Sequence, residues 1–236
     1  MIKLLAFDLD GTLTQHKTKI DEKNRRLLSE LGKRYTLLMV GAGGCERIYK
    51  QLDCFPIDII GNYGMQLSVC DGGEFRLLRN DTLPTPPCEE VERTVDRIRE
   101  KNGFTSYVGD SVEYHPSGCI TIALIGTGAE LSDKLSFDPD RSRRRAFYPE
   151  VKEAFPDYNV FIGGSSSFDM APKPYNKYHA LDLYCRERGI AHSEVIFFGD
   201  DFTEGGNDES VYLSDFGFVK VDDYRRISEL AEHLLR

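Results

Sequence analysis

An α/β fold built on a parallel sheet and interrupted by an α+β insertion is what this 236-residue sequence predicts. Three observations carry that reading. Short, continuous apolar runs at residues 4–7, 35–40, 57–60 and 195–198 have the pattern of strands covered on both faces, and each is followed closely by glycine. Helical periodicity separates successive runs, the alternation that right-handed crossovers of a parallel sheet require. Between the proline-rich stretch 80–87 and Tyr175 this alternation lapses into a different mixture of elements, and afterwards it resumes.

Residues 4–7 run into Asp8-Leu9-Asp10-Gly11-Thr12, where glycine ends the first strand. Residues 21–34 then form an amphipathic helix, with Leu27, Leu28 and Leu31 on one face and Asp21 as its cap. Strand 35–40 closes on Gly41-Ala42-Gly43-Gly44, residues 45–52 are helical, and strand 57–60 ends at Gly61-Asn62-Tyr63-Gly64. Residues 65–70 and 74–78 flank Asp71-Gly72-Gly73, a hairpin signal. Inside the insertion a charged helix at 89–102 precedes two β-like runs, 111–114 and 119–125, and then a helix at 143–154 and a strand at 158–162. A helix at 177–188 and the strand at 195–198, ending in Gly199-Asp200-Asp201, return the chain to the first sheet.

Composition narrows the function. A net charge of −9 argues against a nucleic-acid partner, because such binding depends on Lys and Arg neutralising phosphates. The one basic cluster, Arg141, Arg143, Arg144 and Arg145, reads as a solvated helix face. The cysteines at 45, 54, 70, 88, 119 and 185 form no C-x-x-C pair, so buried reduced thiols are expected rather than a zinc site. No apolar run approaches the ~18 residues of a membrane span, and the N-terminal run meets Asp8 too early for a signal peptide. A cytoplasmic protein with no membrane partner is therefore expected.

Asp8 and Asp10 share a strand face and reach the carboxyl edge of the sheet, where open α/β folds place their ligands. Asp8 is suited to attack phosphorus while holding a metal, and Asp10 to give and take the proton of the leaving and entering oxygens. A second acidic loop follows a second apolar strand, with Asp200 in Gly199-Asp200-Asp201 and, close behind, Gly205-Gly206-Asn207-Asp208. Mg²⁺ prefers oxygen ligands, which Asp8, the Asp10 carbonyl and Asp200 would supply, with Asn207 or Asp208 near. Lys177 opens a helix and could face a phosphate; Lys173, in Pro172-Lys173-Pro174, is its rival.

The set Asp8-x-Asp10-Gly11-Thr12, Lys177 and Gly199-Asp200 with Asn207-Asp208 resembles the haloacid dehalogenase (HAD) superfamily of aspartate-based phosphotransferases. The resemblance spans the chain. It is strongest to the capped branch of eukaryotic-type phosphomannomutases and sugar phosphatases, through 7–14, Ser167-Phe168-Asp169 and 197–208. It implies a Rossmann-like core from residues 1–81 and 173–236, with an α+β cap at 82–172 that closes over the sugar. It also implies roles. Asp8 becomes phosphorylated, Asp10 is the acid/base, Lys177 steadies the phosphoryl charge, Asp200 binds Mg²⁺, and Ser167 and Asp169 contact substrate hydroxyls. Pairing of two copies through the cap is expected by analogy.

Two departures bear on the reaction. The mutases hold the sugar's distal phosphate with cap arginines in segments resembling R-N-G-M and S-P-I-G-R. Here the corresponding stretches read His115-Pro116-Ser117-Gly118-Cys119 and Ala123-Leu124-Ile125-Gly126-Thr127, and residues 103–140 contain no arginine. Many superfamily members also place a Ser or Thr hydroxyl against the phosphate where this chain has 41–44, so Gly43 and Gly44 would bind it through backbone N–H groups. The expectation is a Mg²⁺-dependent phosphatase of a small sugar phosphate. A hexose-phosphate mutase is the alternative, and a non-catalytic sugar-phosphate sensor comes behind both.

Overall fold

The structure is a computed structural model and describes residues 1–235. It divides into two compact units. The first comprises Met1–Asp81, Asn176–Thr203 and the chain from Asp208 onward; the second comprises Thr82–Tyr175 with Glu204–Asn207.

The first unit contains β1 (Leu4–Phe7), α1 (Glu22–Leu31), β2 (Thr36–Val40), α2 (Cys45–Gln51), β3 (Asp58–Gly61), β4 (Gln66–Asp71) and β5 (Glu74–Asn80) before the chain leaves it. The second unit contains α3 (Cys88–Lys101), β6 (Val112–Tyr114), β7 (Ile120–Ala123), α4 (Leu131–Phe137), α5 (Ser142–Arg145), α6 (Tyr148–Ala154), β8 (Tyr158–Phe161) and β9 (Ser167–Pro172). The first unit resumes with α7 (Lys177–Arg188), β10 (Val195–Gly199), α8 (Glu209–Tyr212), β11 (Gly217–Lys220) and α9 (Ile227–Leu230).

The strands of the first unit form one sheet in the order β11-β10-β1-β2-β3-β4-β5. Its first five strands run parallel, and the β4–β5 hairpin extends the β3 edge in antiparallel fashion. Alternation along each strand feeds two cores. Leu5, Phe7 and Met39 pack with Leu27, Leu28 and Leu31 of α1 and Ile48 of α2 on one face. Leu4, Ala6, Leu38 and Val40 pack with Ala180, Leu181 and Tyr184 of α7 on the other. Burial of both faces is why these strands read as unbroken apolar runs. Asp21 caps α1, its carboxylate accepting the Asn24 N–H at 2.8 Å.

The second unit is a four-stranded antiparallel sheet in the order β6-β7-β9-β8, with α3 and α6 against one face. Its strand β9, unrecognised in the sequence, runs to Pro172 and is followed by a Tyr175 N–H to Pro172 C=O bond at 2.9 Å; the unit accordingly ends after Tyr175, three residues beyond the expected boundary at 172. The helix expected at 143–154 is two helices, α5 and α6, with Ala146 and Phe147 between them. The helix α4 and the strand β11 were also absent from the sequence reading; each is short and lacks a decisive apolar period.

The basic cluster is not a wholly solvated face. Arg144 is buried, its Nε donating to Asp138 at 2.8 Å and its Nη1 to the Gly163 and Ser167 carbonyls at 2.6 and 3.0 Å. Spacing along α5 could not reveal this, because the partners come from the loops before α5 and before β9. Nor are all thiols buried: Cys45, Cys119 and Cys185 are, whereas Cys54 and Cys88 are exposed. No helix among the described residues is long and apolar enough to cross a membrane.

Removing one partner of a buried ion pair leaves the other charge uncompensated. Arg144→Ala is therefore expected to destabilise the protein by about 3–5 kcal/mol in urea unfolding. A loss below about 1 kcal/mol, the range of an exposed pair, would refute a structural role for this arginine.

Candidate active site

The site grows from the register of the two central strands. Phe7 of β1 pairs with Phe198 of β10, and their rings stack with centroids 4.9 Å apart. The Asp8 N–H donates to the Phe198 carbonyl at 2.9 Å, so Asp8 and the Gly199-Asp200 turn leave the sheet side by side. Gly11, at φ +97°, makes the next step possible: a Cβ there would fall 2.6 Å from Cγ of Asp200. With no side chain at Gly11, the Asp200 carboxylate lies against the first loop, where the Thr12 hydroxyl donates to its Oδ1 at 2.9 Å.

Lys177 is the centre of the cluster. Wholly buried at the first position of α7, it donates from Nζ to Asp8 Oδ1 at 2.6 Å and to Asp208 Oδ1 at 2.7 Å. Asn176 caps that helix by accepting the His179 N–H, which sets where Lys177 begins. Asp208 uses its other oxygen to accept the Asp201 N–H at 3.0 Å. Lys173 makes a different contact, donating to the Pro156 carbonyl within the second unit.

Asp8, Asp200 and Asp208 each offer a carboxylate oxygen within 4.8 Å of the others. Three hard oxygen donors in one buried cluster fit Mg²⁺. Both oxygens of Asp208 already serve Lys177 and the Asp201 N–H, whereas Asp200 accepts at Oδ1 from Thr12, so Asp8 and Asp200 are the better-disposed direct ligands.

Electrostatics reinforce this. Burial pushes the Asp8 carboxyl from its ordinary 3.8 up to about 7, against the pull of Lys177, and Asp200 adds to the rise. Burial likewise raises Asp200 and Asp208 to about 6. For Lys177 burial opposes the charge, but Asp208 and Asp8 outweigh it and keep the ammonium protonated. Asp10 differs. Burial would raise it, but the Lys17 N–H at 2.7 Å, the Gln51 amide at 2.7 Å and Arg47 together hold it below the usual carboxylate range. In this arrangement Asp10 is ionised at neutral pH and set to accept a proton.

The remaining expected residues fall elsewhere. Gly43 and Gly44 form the loop between β2 and α2, braced where the Asn62 N–H donates to the Gly43 carbonyl at 2.9 Å. Ser167 and Asp169 belong to β9 in the second unit. There the Ser167 hydroxyl donates to the Gly163 carbonyl at 3.1 Å, and Asp169 accepts from the Thr121 hydroxyl at 3.1 Å. Asn207 belongs to the Glu204–Asn207 segment of the same unit. Sequence reasoning missed Thr12 as a partner of Asp200, and Arg47 and Gln51 beside Asp10. The last two are one helical turn apart on α2, a spacing that marks a shared face but not its neighbour.

Residues 105–224 match the model of the eukaryotic phosphomannomutase family. The chain belongs to that family. Phosphomannomutase of Saccharomyces cerevisiae is 25% identical over 224 residues, covering 90% of this chain and 85% of the yeast protein. That of Encephalitozoon cuniculi is 27% identical over 251 residues, covering 96% and 92%. Among solved structures, the Plasmodium falciparum IMP-nucleotidase superposes with a TM-score of 0.72 at 14% identity, over 99% of this chain and 68% of that one. A HAD-superfamily phosphatase from Bacteroides thetaiotaomicron gives 0.65 at 17% identity, over 99% and 95%. The family member described here therefore has the HAD fold, as its motifs led one to expect, and is an enzyme of the phosphotransferase type.

The raised carboxyls yield a pH signature. Folded values of about 7 for Asp8 and about 6 for Asp200 and Asp208 exceed the 3.8 of an unfolded chain. Their protons are held more tightly when folded, so the stability they contribute is complete below about pH 4 and is lost as pH rises through about 6–7. Mg²⁺ held by the ionised carboxylates would offset that loss. Thermal melts are expected to show a larger rise in Tm on adding Mg²⁺ at about pH 8 than at about pH 5. Equal rises at both values would remove these carboxylates from the metal site.

Proposed function

We propose that this family member transfers a phosphoryl group to and from a hexose phosphate through a phosphorylated Asp8, with Mg²⁺ as cofactor. The observation that carries the proposal is the buried Asp8–Lys177–Asp208 chain, which places one ammonium against the nucleophile and an acidic cluster beside it. Asp8 Oδ attacks phosphorus in line with the departing sugar oxygen; the ester P–O bond breaks, that oxygen takes a proton from the Asp10 carboxyl and leaves as the alcohol, and Asp8 is left as an aspartyl phosphate. When bound, Mg²⁺ would be held by Asp8 and Asp200 and would neutralise charge on the transferring group. Lys177 draws the Asp8 carboxyl toward its ionised form against the burial that raises it, and Asp208 and the α7 cap fix the direction of the ammonium. Asp10, then the carboxylate that Gln51 and the Lys17 N–H favour, removes the proton from the hydroxyl that next attacks the aspartyl phosphate.

The acceptor separates two readings. A second sugar hydroxyl makes the enzyme a mutase, as the names of the relatives matched over about nine-tenths of the chain favour; this shifts the weight from the hydrolysis expected on sequence grounds. Water makes it a phosphatase. A specific observation keeps that reading in view: residues 103–140 hold no arginine, and Arg99 and Arg144 of the second unit are buried and bonded to carbonyls and Asp138.

The deciding assay follows mannose 1-phosphate with Mg²⁺, with and without a hexose bisphosphate, and measures mannose 6-phosphate and inorganic phosphate together. Bisphosphate-dependent isomerisation supports the mutase, steady phosphate release supports the phosphatase, and neither product from any of a panel of sugar phosphates would overturn both. Asp8→Asn is expected to fold, to lose turnover by at least about 10³-fold and to form no aspartyl phosphate. Retained turnover would remove Asp8 from the nucleophile's role.

A further inference from the structure

Strands β1 and β2 are neighbours in register, Phe7 opposite Met39, so the loop carrying Asp8 and Asp10 and the loop 41–44 leave the same edge of the sheet next to each other. At Gly43 the side-chain space is already taken: a Cβ there would lie 2.7 Å from Cζ of Arg47 and overlap the rest of its guanidinium. That guanidinium is held by α2 itself, its Nη1 donating to Gln51 Oε1 at 3.0 Å. Gln51 is buried and turns its amide to Asp10 Oδ1 at 2.7 Å and to the Thr14 hydroxyl at 3.0 Å. Arg47 Nη2 lies 3.4 Å from Asp10 Oδ2, a long contact for a charged pair, and the Arg47 side chain stays 46% exposed. The cation is positioned without being used up.

Charge supplies the second argument. Asp8 and Asp208 bond one buried ammonium, Lys177, Asp200 joins them in one cluster, and Asp10 stands two residues from Asp8, so a site that must admit an anionic ester is crowded with carboxyls. A cation beside these groups would favour the anion, and Arg47 lies against Asp10 on their side of the sheet. A planar guanidinium matches the paired oxygens of a phosphoryl group, which a backbone loop without side chains cannot clamp as firmly.

We propose that Arg47 contacts the phosphoryl group of the substrate, its guanidinium occupying the side-chain space left by Gly43 and Gln51 holding it there as a positioning residue. The proposal rests on the phosphoryl-transfer reading above. It assigns to α2 a phosphate ligand that the sequence of the loop alone, with its run of glycines, does not contain.

The test uses the full chain with saturating Mg²⁺ and reads orthophosphate binding by calorimetry alongside steady-state kinetics. Arg47→Ala is expected to weaken orthophosphate binding and to raise KM by about 10- to 100-fold, the range for loss of a charged hydrogen bond. Arg47→Lys should restore part of the affinity. Gly43→Ser placed on Arg47→Ala should regain at least about threefold, because a hydroxyl then enters the same volume. Thermal melts check that each variant folds. Orthophosphate binding within about twofold of the parent in Arg47→Ala, or no recovery in both rescue variants, would overturn the assignment. Failure of the parent to turn over any sugar phosphate would instead overturn the functional reading, with the orthophosphate comparison still deciding on Arg47.

Discussion

A single buried ammonium holds the site together. Lys177 lies between Asp8 and Asp208, residues that belong to opposite ends of the chain, and its ammonium opposes the burial that raises both carboxyls. The contact is expensive to leave half-made. It therefore constrains what surrounds it: the Asn176 cap that starts α7, the Asp201 N–H that occupies the second oxygen of Asp208, and the stacked Phe7 and Phe198 rings beneath. Insertion of the second unit between the two halves of the sheet is tolerated because these contacts lie wholly within the first unit.

The two carboxylates of the first loop are driven in opposite directions by what touches them. Asp8 is buried beside Lys177 and Asp200, and burial dominates its proton affinity. Asp10, two residues on and partly exposed, collects a backbone N–H, an amide and a guanidinium that together outweigh burial. Two carboxyls of one loop are thus set apart in proton affinity by what surrounds each. The separation comes from the burial of Asp8 on one side and, on the other, from the Lys17 N–H and from Gln51 and Arg47 of α2, which the glycines of the preceding loop give room to approach.

Much of this was legible in the chain. Apolar runs named the four central strands because burial on both faces removes any polar interruption, and the hairpin announced itself through Asp71-Gly72-Gly73. Asp8, Asp10, Asp200 and Lys177 stand at strand or helix ends, where spacing alone points to them. The elements that escaped notice are those whose pattern is set by distant neighbours: β9, short and mixed, exists because β7 and β8 flank it, and Arg144 is buried because Asp138 and two loop carbonyls wait for it. The basic run 141–145 looked solvated for the same reason.

By itself the sequence determined the fold class and brought Asp8, Asp10, Asp200 and Lys177 forward as candidates, since periodicity and local turn residues dictate strands, helices and the loops that end them. Only the tertiary structure decided which lysine meets Asp8, that both oxygens of Asp208 are already engaged, and that Arg47 fills the space of Gly43. These are matters of approach between segments far apart in the chain. No local spacing encodes them, because each depends on how β1, β2, β10 and α7 are brought to one edge of the sheet.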